Sequence, residues 1–476
     1  MQGTAVAATV VSDVLVIGGG GAALVAACAA AERGLRVTLV SKKRPGFGSC
    51  TAYAGGGFTV AIEGLSPERH RELTLETGRG LNDPDLVRVL TAEGPASLDR
   101  LARWGVGFAR RKGSASVRQQ APNPMVAGMG LTLPLVERCR QLGVSLYYPF
   151  QVYRLLQKEF GGRVYGAAVV GRDGATAQFL ARSTILATGG GGWLYARTDN
   201  PAGTTGDGYW LALQAGARLR DMEFVQFYPL GSAPGSGTTW FMDAQILDHA
   251  RLTDGNGEEF LPELFREWGI TSGREANLFA RDRLSRAIVL RQRATGRVVL
   301  HLEDVPAEIR RDPELTHIAR LLGGGEDDPW QPVEVLPVQH FMSGGVAIDA
   351  WGRTGVPGLF ACGEVTGGVH GANRVGGNAL TELAVFGLRA GEQAAEEAAA
   401  TAQDPEALTA KAHAFPATAD AAHTVRLALD RQVVDLGKPM DPAETPSFSV
   451  AALRQLAFEL LGPVRDREGL LTALRQ

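Results

Sequence analysis

The sequence predicts an α/β protein built on a Rossmann-like nucleotide-binding sheet, and three stretches carry that expectation. Residues 13–40 read as strand, glycine turn, helix and strand, which is the start of a parallel βαβ unit. Residues 184–188 (TILAT) read as a further buried strand that runs into four glycines. Residues 369–391 place Arg374 and the pair Gly376-Gly377 before a long helix opening near Asn378.

The 476 residues suffice for about two to four domains around a large core. A formal charge of −3 with no basic run excludes a nucleic-acid footprint. Cys28, Cys50, Cys139 and Cys362 are scattered without CxxC spacing, so a reduced compartment is expected and a self-contained metal or iron–sulfur site is not. Residues 14–31 carry no charge, yet four central glycines make a poor membrane span. The first Lys or Arg is Arg33, which leaves no signal-peptide n-region. The chain is read as soluble.

Taken in order, residues 13–17 form the first strand, 18–23 (GGGGAA) the turn, 24–33 a helix and 36–40 the second strand. The turn fits G-x-G-x-x-A at Gly18, Gly20 and Ala23, with Ala22 beside them. One glycine makes the turn, one admits a pyrophosphate and a small residue packs helix on strand. Ser41 and Lys42 stand where an acidic ribose ligand is usual. The Ser41 hydroxyl can bond a ribose, or it merely ends the strand. Residues 43–57, with Ser49, Cys50, Thr51, Gly55 and Gly56, are too glycine-rich for regular structure and suit a cofactor wrap.

Residues 64–145 read as helical with polar faces. Residues 151–182 alternate as a meander broken at Gly161-Gly162 and Asp173-Gly174. The strand ending at Ala187, Thr188 and Gly189 delivers backbone to a nucleotide, or is only a tight turn. Residues 203–208 (GTTGDG) open another helix and add Asp207. The helix start at Asn378, Ala379 and Leu380 offers unpaired N–H groups and a positive dipole end. A reduced flavin, with negative charge along one ring edge, is such a partner, and Arg374 can hold an anionic substrate beside it.

In this order the blocks GGGGAA, SCTAYAGGG, ATGGGG, GTTGDGYWLALQAGA, MEFVQFYP, ARDRLSRAI, LPVQHFMSGGVAID and GLFACGEVTGGVHGANRVGGNAL resemble the flavoprotein family of succinate dehydrogenase, fumarate reductase and L-aspartate oxidase. The resemblance spans residues 13 to 394. It implies an FAD-binding domain over 1–230 and 337–400, interrupted by an α+β capping domain over 231–336. A short C-terminal helical region, 401–476, follows with breaks near Pro416 and Pro446.

The resemblance also implies roles. Arg281, in Arg-Asp-Arg-Leu-Ser-Arg, matches the proton donor or acceptor; the alternative is a helix-start ion pair with Asp282 or Glu275. His340 and Arg374 match the groups that bind the substrate carboxylate, and Glu364 would reach ribose or ribityl hydroxyls. An iron–sulfur or other electron-transfer subunit is the implied partner, and the cytoplasm, with peripheral membrane contact through that partner, the implied place.

Three departures bear on chemistry. Where the family often has His-Pro-Thr for a second carboxylate, this chain has Tyr228-Pro229-Leu230, so that end of the pocket is more apolar. The relay Glu and Arg fall near Asp243 and Ile246, and isoleucine cannot carry a proton, which leaves His249 or Arg251 as detours. Cys50 replaces the histidine that some members use to attach FAD covalently, so FAD is expected without a covalent bond. The expected reaction interconverts a saturated carboxylate, or similar acyl compound, and its α,β-unsaturated form. The alternatives are an L-aspartate oxidase-like amino-acid oxidase and an electron-transfer subunit with a diverged substrate pocket.

Overall fold

The computed structural model describes residues 8–118, 127–232, 241–311 and 330–401, together with 454, 455, 457 and 461–463. The expected C-terminal helical region therefore lies almost wholly outside the described residues. Within them, no helix is long and apolar enough to cross a membrane.

A five-stranded parallel sheet sits at the centre, in the order Leu359–Ala361, Ser183–Leu186, Val14–Ile17, Val37–Val40, Ser145–Tyr147. The first four are buried along their whole length, which is why they read as continuous apolar runs without alternation. The helix Gly21–Ala31 (GAALVAACAAA) has every residue buried. Its small side chains let the helix Asn378–Ala400 approach at backbone distance. A Cβ on Gly391 would stand 2.4 Å from the Ala26 carbonyl oxygen, and one on Gly387 2.9 Å from Val25.

The meander appears as expected, as the antiparallel strands Phe150–Gln157, Val164–Gly171 and Thr176–Leu180, with Ala8–Val11 added parallel to the last. Residues 64–145 are only partly helical. Pro67–Thr77, Pro84–Arg103 and Met129–Gln141 are helices, but Phe108–Arg111 and Ser114–Val117 form a hairpin that Gly57–Thr59 completes. A tight Lys112-Gly113 turn with Gly113 at φ +69°, followed by Ala115 and Val117 buried on one face, overrides helical propensity there. The glycine-rich stretch after the second strand also holds one helical turn, Cys50–Tyr53, capped by the Ser49 hydroxyl, which accepts from the Ala52 N–H.

A second apolar core gathers Leu230, Met242, Ile246, Phe260, Leu284, Ile288 and Trp330. Around it stand the helices Leu261–Trp268, Gly273–Phe279 and Arg281–Thr295, and the antiparallel sheet of Arg251–Asp254, Val298–His301 and Val333–Glu334. The chain passes between the two cores through the antiparallel pair Val225–Tyr228 and Val338–Met342. Arg197 donates to the carbonyls of Ser232 and Leu336, one on each crossing.

Candidate functional site

One long cleft runs from the glycines after the first strand to the helix start at Arg281. At its first end Gly18 has φ +135°, and a Cβ there would lie 2.1 Å from the Ala187 oxygen, so the two strand ends meet with no room for a side chain. Gly20 faces Ser49 and Thr51, and the Thr51 hydroxyl accepts from the Gly21 N–H at 3.2 Å. The N-terminus of the helix Gly21–Ala31 thus opens onto a backbone-lined cradle suited to phosphate. A Cβ on Gly190 would come within 2.4 Å of Glu364. The Thr188 hydroxyl is buried without a hydrogen-bond partner, a position that a bound hydroxyl or phosphate would satisfy.

The acid missing from the end of the second strand arrives from elsewhere. Asp207 stands beside Lys42, carboxylate oxygen to ammonium nitrogen at 2.6 Å, and accepts from Thr205 and Gln151 at 2.7 and 3.0 Å. Burial raises its pKa, but Lys42 and these donors outweigh burial and hold it below the ordinary aspartate value. Ser41 instead turns its hydroxyl to the Lys43 carbonyl.

All the expected cofactor positions line the cleft except Ala23 and Asn378. Ala23 faces the core with no exposure. The Asn378 amide turns away to His70, 2.8 Å, and Thr74, 3.0 Å, and its backbone N–H is taken by the Val375 carbonyl, so Ala379 and Leu380 present the helix start alone. Two carboxyls lie deep in this wall. Burial pushes Glu364 up to about 7 and Glu382 up to about 8. The Cys50 thiol, raised by burial, lies 3.3 Å from Asn200.

At the other end Arg281 opens its helix and is buried. Its Nε donates to the Asn277 carbonyl at 2.6 Å, its Nη2 to Asn277 Oδ1 at 2.9 Å, and its Nη1 is buried without a partner. The helix-start ion pair does not form. Asp282 pairs with Arg79 at 2.7 Å, and Glu275 turns back to Thr271. Asn277 is the hub here, a residue sequence reasoning missed. Its Oδ1 also accepts from the Tyr228 hydroxyl at 2.8 Å, and its Nδ2 donates to both Asp243 oxygens at 3.0 and 3.1 Å.

His340 places Nδ1 2.6 Å from Asp199, a second missed residue, and its ring stands 5.1 Å from Tyr228 and 5.5 Å from Phe241. Burial lowers the imidazole pKa, and Arg374 and Arg281 add to that against Asp199, so the neutral ring is favoured. Arg374 is buried over the Phe341 ring at 4.4 Å with Nε unpartnered. Burial and then Arg281 bring its pKa down to about 9. Two buried guanidinium groups with unmatched N–H positions suit an anion, because each unmatched buried donor is worth about 1–3 kcal/mol to satisfy.

Three expectations for this end need correction. Leu230 does not line the pocket; the chain leaves its strand at Pro229 and packs Leu230, wholly buried, into the second core. Ile246 lies in that core as well. Neither detour reaches the cleft, since His249 is not among its lining residues and Arg251 pairs on the surface with Asp304 at 2.7 Å.

The chain is similar to known proteins over most of its length. The family described as FAD binding domain matches residues 13–380. A chain of the fumarate reductase (CoM/CoB) of Methanothermobacter marburgensis is 35% identical over 410 residues, 81% of this chain and 73% of that one. L-aspartate oxidase of Streptomyces coelicolor is 36% identical over 411 residues, covering 81% and 68%. Among solved structures, a point-mutated FrdA of E. coli quinol fumarate reductase superposes with TM-score 0.79 at 28% identity, over 98% of this chain and 82% of that one.

Proposed function

The chain belongs to the FAD-dependent oxidoreductases of the succinate dehydrogenase, fumarate reductase and L-aspartate oxidase family, and from that premise we propose that it interconverts a saturated carboxylate and its α,β-unsaturated form. The observation that carries the reading is the pair Arg281 and Arg374, each with a buried, unpartnered guanidinium nitrogen, at the end of the same cleft that begins with the glycine cradle.

The residues present fit FAD. Gly18 and Gly190 stand where any side chain would collide, Thr188 keeps an unmatched hydroxyl, and the helix starts at Gly21 and Ala379 face the cleft. When bound, the flavin supplies two-electron hydride chemistry at N5. Glu364, its pKa raised by burial to about 7, can donate to or accept from a cofactor hydroxyl. The half-buried thiol of Cys50, its pKa raised, stays protonated and is a poor nucleophile, which favours FAD held without a covalent bond.

On the substrate side, Arg374 binds the carboxylate, and His340, its Nδ1 held by Asp199, flanks it with its ring. Hydride arriving at one alkene carbon builds negative charge on the carboxylate attached to the other, where Arg374 and Arg281 meet it. Arg281 gives its Nη1 proton to the second carbon. The Asn277 fork fixes its plane while it does so. Residues 231–336 act as the cap that brings Arg281 over the substrate, and an electron-transfer subunit is the natural partner for the reduced state.

The test uses holoenzyme photoreduced without oxygen and mixed with enoates, then with oxygen and amino acids. Rapid reoxidation by an enoate is the expected result, and an Arg281→Ala enzyme should keep its flavin while losing that reaction by about 10³-fold or more. Enoate turnover surviving in Arg281→Ala removes the arginine from the mechanism; reduction of the oxidised enzyme by an amino acid replaces the reading with an oxidase.

A further inference from the structure

Resting on the enoate reading, we propose that the natural substrate carries a single carboxylate and, at the other end of its double bond, a flat aromatic group: an aryl-substituted enoate, not a C4 dicarboxylate. The ligand site beside Arg281 is walled by rings. Tyr228 and Phe241 stand 4.5 Å apart, and His340 stands 5.1 and 5.5 Å from them. All three line the cleft, and the Arg281 guanidinium lies 4.7 Å above the Tyr228 ring.

A second substrate carboxylate would need donors beyond the two arginines, and among the described residues of this wall Tyr228 and Asn277 have already used theirs. The Tyr228 hydroxyl donates to Asn277, and the Asn277 amide donates to Asp243. Among the described residues, the carboxyl of Asp243 also lines the cleft here, and it receives those amide hydrogens as an acceptor. A carboxylate placed against it meets another acceptor and gains no hydrogen bond from it. A planar ring can instead lie against the partly exposed rings of Phe241 and His340, which Tyr228 backs from within, with the Arg281 cation at its flank. The two arginines line the same cleft, each with a buried, unmatched guanidinium nitrogen, and together they hold one carboxylate.

In the reductive direction the enoate takes a hydride at its β-carbon from the reduced flavin and a proton at its α-carbon from Arg281. The products are the saturated arylalkanoate and the oxidised flavin. Arg281 recovers its proton from water, and two reduced viologen radicals with one proton restore the cofactor in the assay.

The experiment measures kcat/KM of the holoenzyme with reduced methyl viologen for trans-cinnamate, crotonate and fumarate. In parallel, calorimetry follows binding of phenylpropionate and of succinate to the oxidised enzyme. The expected preference is about 100-fold for cinnamate over fumarate, with crotonate about tenfold below cinnamate and phenylpropionate bound tighter than succinate. Tyr228→His should raise fumarate turnover about tenfold while lowering that of cinnamate, and Phe241→Ala should lower cinnamate turnover by a larger factor than that of crotonate. Fumarate equal to cinnamate, crotonate equal to cinnamate, or succinate bound as tightly as phenylpropionate overturns the proposal while leaving the enoate reaction standing. If yellow holoenzyme reduces none of the three, the enoate reaction falls, and the two binding constants still decide which acid the pocket was shaped for.

Discussion

Replacing Asn277 with alanine should cripple turnover while leaving the nucleotide end of the cleft intact. The amide is the meeting point of three groups: Oδ1 receives Tyr228 at 2.8 Å and Arg281 at 2.9 and 3.1 Å, while Nδ2 serves both oxygens of Asp243. Alanine leaves Arg281 only its bond to the residue 277 carbonyl, so a fork becomes a single pivot. The Tyr228 hydroxyl, on a residue 2% exposed, and the Asp243 carboxyl each lose a partner. At about 1–3 kcal/mol for each buried group left unmatched, less a few tenths for the better helix former, the variant should lose about 2–5 kcal/mol of stability. A guanidinium free to move by about 1 Å should slow reoxidation of the photoreduced enzyme by enoate about 10²-fold. Stopped-flow absorbance, flavin content and thermal unfolding read the three effects separately. Reoxidation within about threefold of wild type would refute the positioning argument. So would losses that multiply in the Asn277→Ala, Arg281→Ala double variant, because a residue that acts through Arg281 has nothing further to lose once the arginine is gone.

Three other outcomes follow from the same geometry. Glu382, lifted by burial from an ordinary 4.5 to about 8, keeps its proton in the fold while the unfolded chain releases it; stability is fully present below about pH 4.5 and falls as pH rises toward 8. Apoprotein melting between pH 5 and 8.5 should show that slope, worth at most about 5 kcal/mol, and Glu382→Gln should flatten but not abolish it, because Glu364 titrates in the same direction up to about 7; an unchanged slope would exclude Glu382. Gly18→Ala should bind FAD at least about tenfold more weakly by fluorescence titration, since its Cβ at φ +135° meets a carbonyl oxygen at 2.1 Å; unaltered affinity would mean the strand ends can part freely. Acid denaturation should release all yellow colour from the protein, and colour that stays with the precipitate would show a covalent bond, with Cys50 the first place to look.

The parts of the molecule legible in the sequence are those whose physics is local. A strand buried on both faces must be apolar throughout, a backbone that meets another backbone must be glycine, and a helix packed on every side must be small, so residues 13–40 announce themselves. Local reading fails first at orientation. Ala23, Asn378 and Leu230 belong to segments that do form the cleft, yet each side chain points away from it; a motif spacing fixes where the chain passes and leaves open which side a residue presents. It fails next at long-range pairing. Asp199 reaches His340 across 141 positions, and Asn277 reaches Asp243 across 34, and neither has a pattern of neighbours that marks it. The loss of the His-Pro-Thr element was visible as three letters, and it suggested only a more apolar pocket. What the letters could not say is that the tyrosine hydroxyl would be claimed by Asn277 and that Asn277 would in turn claim Asp243. Those two bonds turn a changed residue type into a changed ligand, because they take from the wall the donors that a second carboxylate would have required.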